Sequence, residues 1–329
     1  MQSGRNKRSA KHRGRPAARP GWLPRALGIA GAALALAAVV LLVSYLIQGH
    51  KTRQEQAAQR ALFRGQATQN PADAAPASLL PEASTAPAAA EAAAQGNMVQ
   101  GAEAPESSQA QLEMPAERQV MDDRFLPLVR RNSDTVGWLS YSLIPEIDFA
   151  VVQRDNEHYM YRGFNGEKNV AGTVFLDQDN SIRPRDRNLI LHGHNMKNGT
   201  MFGKLARLLD GQMLKTQPVF TFDTLYQDAR YVPYALTVFS VDPRHPLYFD
   251  AIKANFDGEE AMGSYVNWLR AHSALHFPTQ VYAGDRLLTL VTCHGADDDE
   301  RLALALRAVR PGEDAEALLK EFASGIVKP

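Results

Sequence analysis

Leu287-Leu288-Thr289-Leu290-Val291-Thr292-Cys293 is an apolar run that ends on the only cysteine of a 329-residue chain. A short, continuous apolar run rich in β-branched residues reads as a buried strand. One thiol excludes an internal disulfide. A second such run, Asn188-Leu189-Ile190-Leu191-His192-Gly193-His194-Asn195, ends on two histidines, and Arg301 follows shortly after the cysteine. A strand-end thiol, a strand-end imidazole and a guanidinium are the parts that thiol-based acyl transfer needs. A lone cysteine closing a buried strand is otherwise an inert small hydrophobe, so its neighbours decide the reading.

Outward from these two runs, short strand-like segments are separated by turn residues: Val136–Tyr141, Phe149–Gln153, Thr173–Leu176, Val219–Phe222, Tyr234–Val241 and Gln280–Tyr282. Helices are expected at Met121–Asn132, with Phe125, Leu128 and Val129 on one side, at Thr200–Leu209, and at Gly258–His272, where Met262, Tyr265, Val266 and Leu269 recur at helical spacing. Many short strands with few helices between them point to a mainly β domain, a barrel or a sandwich. Residues 119–329, about 210 in number, can bury a core as one unit.

The N-terminus predicts where the domain lives. Residues 1–26 carry Arg5, Lys7, Arg8, Lys11, Arg13, Arg15, Arg19 and Arg25 and no acid, and residues 27–47 are uncharged and almost wholly apolar. As a helix this stretch is about 31 Å long, close to the thickness of a bilayer core. The positive-inside rule predicts a cytoplasmic tail over 1–26, one span over 27–47, and the rest outside the cell, a single-pass type II arrangement in the cell membrane. A cleaved signal peptide is the competing reading, but Gln48-Gly49-His50-Lys51-Thr52-Arg53 offers no small-x-small cleavage site.

Residues 48–118 are dominated by Ala, Pro, Gln and Glu, with Phe63 the one aromatic between Gln48 and Arg118. They are expected to form a flexible stalk whose first turns, Lys51–Arg64, can prolong the membrane helix. Residues 1–54 hold ten of the 36 Lys/Arg and none of the 36 Asp/Glu, so the remainder is net −10. An acidic exported part without basic, aromatic-studded clusters argues against a nucleic-acid partner.

In this order the pieces resemble a known family. Asn132-Ser133-Asp134-Thr135-Val136-Gly137-Trp138-Leu139, Ile147-Asp148-Phe149-Ala150-Val151-Val152-Gln153, Ala171-Gly172-Thr173-Val174-Phe175-Leu176-Asp177, Gly193-His194-Asn195-Met196 with Thr200-Met201-Phe202, and Thr289-Leu290-Val291-Thr292-Cys293 with Arg301 are together similar to the class B sortases. These are cysteine transpeptidases of Gram-positive surfaces. Phe149 and Ala150 stand where the family has Tyr and Pro, and Val291 where many members have Ser.

The resemblance implies an eight-stranded β-barrel with an N-terminal helical extension and a helix before the cysteine strand. It makes Cys293 the nucleophile, His194 the catalytic histidine and Arg301 the guanidinium beside the reacting carbonyl. Thr292 then helps shape the substrate site, and His192, at a position often aromatic in the family, supports the site from behind. The implied partners are exported proteins bearing a C-terminal sorting motif of the Asn-Pro-x-Thr type and a peptidoglycan amine. No cofactor is implied. A pilus-polymerising sortase that uses a pilin lysine is the alternative within the chemistry, and a membrane-tethered binding domain with a structural cysteine is the alternative outside it.

Several neighbours compete for these roles. His192 and His194 could pass for a metal pair, but no carboxylate or third histidine has ligand spacing, and no metal is expected. His294 should face away from the base position in a continuing strand. Asp297-Asp298-Asp299-Glu300 reads as a solvated loop. Arg307 and Arg310 rival Arg301 by residue type alone.

Overall fold

The computed structural model describes residues 23–67, 117–293 and 299–328. The chain falls into two compact units, 1–47 and 48–329. The first helix, α1 (Leu23–Ala67), is the one helix among the described residues that is long and apolar enough to cross a membrane.

In the second unit the elements run α2 (Leu126–Arg131), β1 (Thr135–Ser140), β2 (Asp148–Gln153), β3 (Phe175–Leu176), β4 (Asn188–His192), α3 (Gln212–Thr216), β5 (Phe220–Thr224), β6 (Arg230–Ser240), α4 (Gly258–Ala271), β7 (Leu287–Cys293), β8 (Glu300–Ala308) and α5 (Ala315–Gly325). Eight strands close a barrel in the order β1-β2-β3-β4-β7-β8-β6-β5. The β2–β3 and β4–β7 pairs are parallel and the others antiparallel.

Alternation along the strands sorts side chains onto two buried faces. Leu189 and Leu191 of β4, Leu288 and Leu290 of β7, and Leu302, Leu304 and Leu306 of β8 fill the barrel interior. Their neighbours Ile190, Val291, Ala303 and Ala305 lie on the outer face with Phe239. That face is roofed by Met262, Tyr265, Val266 and Leu269 of α4 and by Phe249 and Ala251 of the β6–α4 connection. Small Ala at 303 and 305 lets the helix approach. The roof covers the middle of these strands and leaves their ends for the site.

The stalk expected over 48–118 needs correction at its start. Residues 48–67 are helical and pack on the barrel wall within the second unit. Phe63 is 7% exposed and stacks on Trp138, with ring centroids 4.4 Å apart and planes at 4°. Arg64 donates to Asp148 Oδ2 at 2.6 Å, and Gln59 Oε1 accepts from the Ala150 N–H of β2 at 3.3 Å. One aromatic and a few well-aimed polar groups suffice where a sheet edge supplies the partners. Residues 68–116 of that expected stalk lie outside the described residues.

Other expectations shift for local reasons. Gln280–Tyr282 is not a strand, because the Gln280 carbonyl accepts from Arg307 Nε and Arg310 Nη2 rather than from a ladder partner. The helix expected at Thr200–Leu209 begins only as a 3₁₀ turn at Leu205–Asp210, since Asn198 Oδ1 takes the Thr200 N–H and hydroxyl into a turn. Met121–Asn132 divides into a 3₁₀ turn, Asp123–Phe125, and α2. β8 is the strand that carries Arg301 to Cys293 by pairing, and α5 adds to the expected elements; it is capped by Asp314, whose side chain accepts from the N–H groups of Glu316 and Ala317.

A carboxylate cluster ties residues 118–124 to β5. Arg124 reaches Asp122 at 2.7 Å, Asp223 at 3.5 Å and Asp228 at 2.5 Å. Burial and the neighbouring Asp228 charge push Asp223 up to about 7, more than the Arg124 guanidinium pulls it down. A buried acid with a raised pKa favours folding while protonated, so its contribution is full below the ordinary carboxylate range and is lost as pH rises through about 7. The thermal midpoint is therefore expected to fall between about pH 4 and 7, and Asp223→Asn to flatten that slope. An unchanged slope in the variant, followed by calorimetry, assigns the pH dependence elsewhere.

Candidate active site

β7 and β8 bring the cysteine and the arginine together. Cys293 pairs directly with Arg301, and Arg301 in turn with Phe239 of β6. In an antiparallel ladder such partners have Cα atoms about 5 Å apart with side chains on one face. Cys293 closes the outer-face series of Leu287, Thr289 and Val291 and is solvent-exposed. Arg301 Nη1 donates to the Glu300 carbonyl at 3.0 Å. Arg307 and Arg310, the rivals by residue type, are held elsewhere. Arg307 pairs with Leu287 at the opposite end of the β7–β8 ladder and binds Glu313 at 2.5 Å, while Arg310 binds Asp285 at 2.6 Å.

β4 delivers the histidines from the other side. His192 pairs with Val291 across the parallel β4–β7 ladder, and the Gly193 N–H continues it to the Val291 carbonyl. A Cβ at Gly193 would meet Phe202 at 2.7 Å and Val174 at 2.9 Å, so only glycine lets the chain turn there against the core. His194 follows in a loop folded back on itself, the Phe202 N–H donating to the His194 carbonyl at 3.0 Å. Met201, at φ 53°, takes the left-handed conformation in that return.

The two imidazoles have different partners. His194 Nε2 lies 2.6 Å from the Met160 carbonyl oxygen, and the ring lies 5.6 Å from that of Tyr161. A carbonyl only accepts, so Nε2 carries the proton and Nδ1 is the nitrogen available for exchange. His192 Nε2 instead lies 2.8 Å from Asp177 Oδ2, and its ring stacks on Phe175 at 5.2 Å. Burial pushes the Asp177 carboxyl up, but the His192 bond, the Asp179 N–H and Asn156 together hold it below the usual carboxylate range.

All of these surround one cleft of about 430 Å³. Cys293, Thr292, His192, His194 and Arg301 line it, so each residue singled out from the sequence reaches the same space. Thr292 is 3% exposed, and its buried hydroxyl has no hydrogen-bond partner among the described residues. Tyr159, Met160 and Phe175 form one wall and Phe239, Val241, Tyr248, Phe249 and Ile252 another. Of these, Phe239, Val241, Tyr248, Phe249 and Ile252 fall within residues 226–260, the stretch that the family resemblance makes the substrate-recognising region, whereas Tyr159 and Met160 carry no motif signal. The cleft joins a mostly apolar surface to a thiol, an imidazole and a guanidinium, an arrangement suited to holding a peptide across a nucleophile.

His294, Asp297 and Asp298 lie outside the described residues. Among the described residues no group of His, Cys, Asp or Glu is gathered for a metal ion.

Comparison with known proteins agrees with this arrangement. The sortase domain family model matches residues 144–309, from within the β1–β2 turn to just past β8. Sortase B of Listeria monocytogenes is 31% identical over 181 residues, covering 54% of this chain and 70% of that protein. Sortase B of Staphylococcus aureus is 25% identical over 203 residues, covering 61% and 80%. A crystal structure from Bacillus anthracis, described as similar to sortase B, superposes with a TM-score of 0.53 at 29% identity over 60% of this chain and 89% of that one. The barrel, its cysteine strand and these matches agree: the chain belongs to the sortase family of cysteine transpeptidases, among its class B members.

Proposed function

We propose that this sortase is a membrane-anchored enzyme that cleaves a C-terminal sorting motif of exported proteins and passes the acyl part to an amine of peptidoglycan. The observation that carries the reading is the direct pairing of Cys293 with Arg301 at the mouth of a cleft that His194 also lines. Residues 1–26 are read as the cytoplasmic tail, 27–47 as the anchor, and 119–329 as the extracellular catalytic domain.

In this reading His194 Nδ1 takes the proton of the Cys293 thiol, Sγ attacks the scissile carbonyl carbon, and the carbonyl oxygen takes up negative charge. Arg301 donates hydrogen bonds to that oxyanion, where a guanidinium is worth more than in the ground state. His194 gives a proton from Nδ1 to the departing amine, the C–N bond breaks, and a thioester stays on Cys293. An incoming amine then attacks the thioester, gives its proton to His194 Nδ1, and expels the thiolate as the new amide forms. The apolar wall of Phe239, Phe249 and Val291 supports binding of an extended motif, with Thr292 shaping the floor and His192 behind it. The family resemblance suggests Asn-Pro-x-Thr as its core.

The test is a peptide library incubated with the protein and a primary amine, its products identified by mass spectrometry. Cleavage within one motif, with the amine joined to the new C-terminus, is the expected result. Transfer only onto lysine-bearing pilin peptides replaces the peptidoglycan reading with the pilus one, and hydrolysis alone or no cleavage of any peptide defeats both.

A further inference from the structure

Resting on the reading of His194 as the proton carrier, we propose that residues 49–56 of α1 are a positioning element for that imidazole. Arg53 and Gln56 hold the loop that carries the ring, and Thr52 and Glu55 hold the hairpin that presents its carbonyl partner. None of the four lines the cleft, so they act through His194 rather than on the substrate.

The loop side comes first. His194 opens a return in which Asn195 pairs with Met201 and the Phe202 N–H donates to the His194 carbonyl. In the turn of that return, the Asn198 carbonyl accepts from Arg53 Nη2 at 2.9 Å, and Gln56 Nε2 reaches Met201 Sδ at 3.9 Å. Met201 is the residue at φ 53°, a conformation that persists only where the surroundings enforce it. The helix lies so close that a Cβ at Gly49 would meet Asn198 Nδ2 at 2.7 Å.

The carbonyl side meets the same helix. Met160, whose carbonyl bonds His194 Nε2, leads into a hairpin closed by the Asn169 N–H on the Tyr161 carbonyl. Asn169 Nδ2 donates to Thr52 Oγ1 at 3.0 Å. Near the hairpin tip, Glu55 Oε1 accepts from the N–H and the side-chain amide of Asn165 at 3.2 and 2.7 Å. Both supports of the ring are thus tied to one short stretch of helix.

The composition of the docking face separates positioning from plain packing. Gly49, Thr52, Gln56, Gln59 and Phe63 are the buried positions of residues 48–65, spaced three or four apart along one stripe. A helix docked for stability alone buries an apolar stripe. Here only Phe63 is large and apolar, and it sits on Trp138, at the other end of the stripe from Gly49. Hydrogen bonds add little net stability but fix distance and angle. Phe63 anchors the helix, and the turn around Thr52–Gln56 sets the two segments that frame His194.

The experiment uses the full chain in detergent micelles and the donor peptide selected from the library. Arg53→Ala with Gln56→Ala removes both holds on the loop while keeping strong helix formers. It should lower the single-turnover rate of thioester formation about tenfold, the scale that a small misplacement of a reacting group causes, with the half-saturating donor concentration unchanged. Arg53→Lys should keep most of the wild-type rate, since a carbonyl needs only a donor. Phe63→Leu is the contrast: it should lower the thermal midpoint more than the double variant does and leave the rate unchanged.

A double variant with the wild-type rate, an Arg53→Lys protein as slow as the double variant, or rates that follow the thermal midpoint across all three proteins overturn the proposal. If the wild type forms no thioester on Cys293, the transpeptidase reading fails by itself. Hydrogen–deuterium exchange over residues 194–203 then judges the helix alone. Faster exchange there in the double variant, with the β4 and β7 amides unchanged, supports it, and unchanged exchange overturns it.

Discussion

Cys293→Ala is expected to abolish both peptide cleavage and acyl transfer while leaving the fold intact. Cys293 is the only thiol in the chain, and it stands exposed at the end of β7, outside the packed part of the outer face. Removing it takes no contact from the core, so the circular dichroism and thermal midpoint should match the wild type. The chemistry has no substitute. The neighbouring Thr292 hydroxyl is buried, and an alcohol is far harder to ionise than a thiol. A loss of at least about four orders of magnitude in kcat/KM is the scale seen when an essential nucleophile is deleted. Deleting His194 as well should add almost nothing, because groups that act as one unit are not additive. Mass spectrometry of the wild type with donor peptide and no amine should trap the acyl chain on Cys293. A Cys293→Ala protein that retains turnover excludes the thiol as nucleophile. A wild-type thiol that reacts with an alkylating probe only after unfolding favours the binding-domain alternative.

Most strands were legible because apolar runs and turn residues mark them directly, and β1, β2, β4 and β7 differ from expectation only at their ends. β8 enters the expectation only through Arg301, although Leu302-Ala303-Leu304-Ala305-Leu306 alternates large and small residues. That pattern reflects a strand with leucines in the barrel and α4 pressed on its alanines, a packing that a hydropathy profile alone does not reveal. The continuation of the helix over residues 51–64 is legible in the composition, but its docking on the barrel is hidden, for the opposite reason. Its contribution rests on Phe63 and a few polar side chains whose partners, Trp138, Asp148 and Ala150, are remote in sequence. Cys293, His194 and Arg301 were singled out through motif order, and the ladder register explains why the two flanking runs had to be adjacent. The Asp177–His192 contact was not legible, since it depends on the antiparallel pairing of β3 with β4.

The same contact sharpens the second expected result, which separates the two histidines. His194→Ala should cost at least about 10³-fold in kcat/KM, whereas His192→Ala should cost no more than about tenfold in turnover. Both rings line the cleft, so proximity alone does not choose between them. Their partners do. The Met160 carbonyl fixes the orientation of His194 without supplying a charge, and it leaves Nδ1 as the one nitrogen that can pass a proton. His192 is committed to a buried carboxylate on one side and to the Phe175 ring on the other. Losing the His192 ring removes one of the bonds that hold Asp177 ionised in a buried place, so its cost should fall on stability. His192→Phe, which keeps the stacking on Phe175 but not the bond, should then retain turnover and show a lowered thermal midpoint. Measured side by side, kcat/KM and thermal midpoint should move independently, the first with His194 and the second with His192. If His192 variants lose turnover as severely as His194→Ala at unchanged midpoint, the imidazole backed by Asp177 is the proton carrier and the assignment must be reversed.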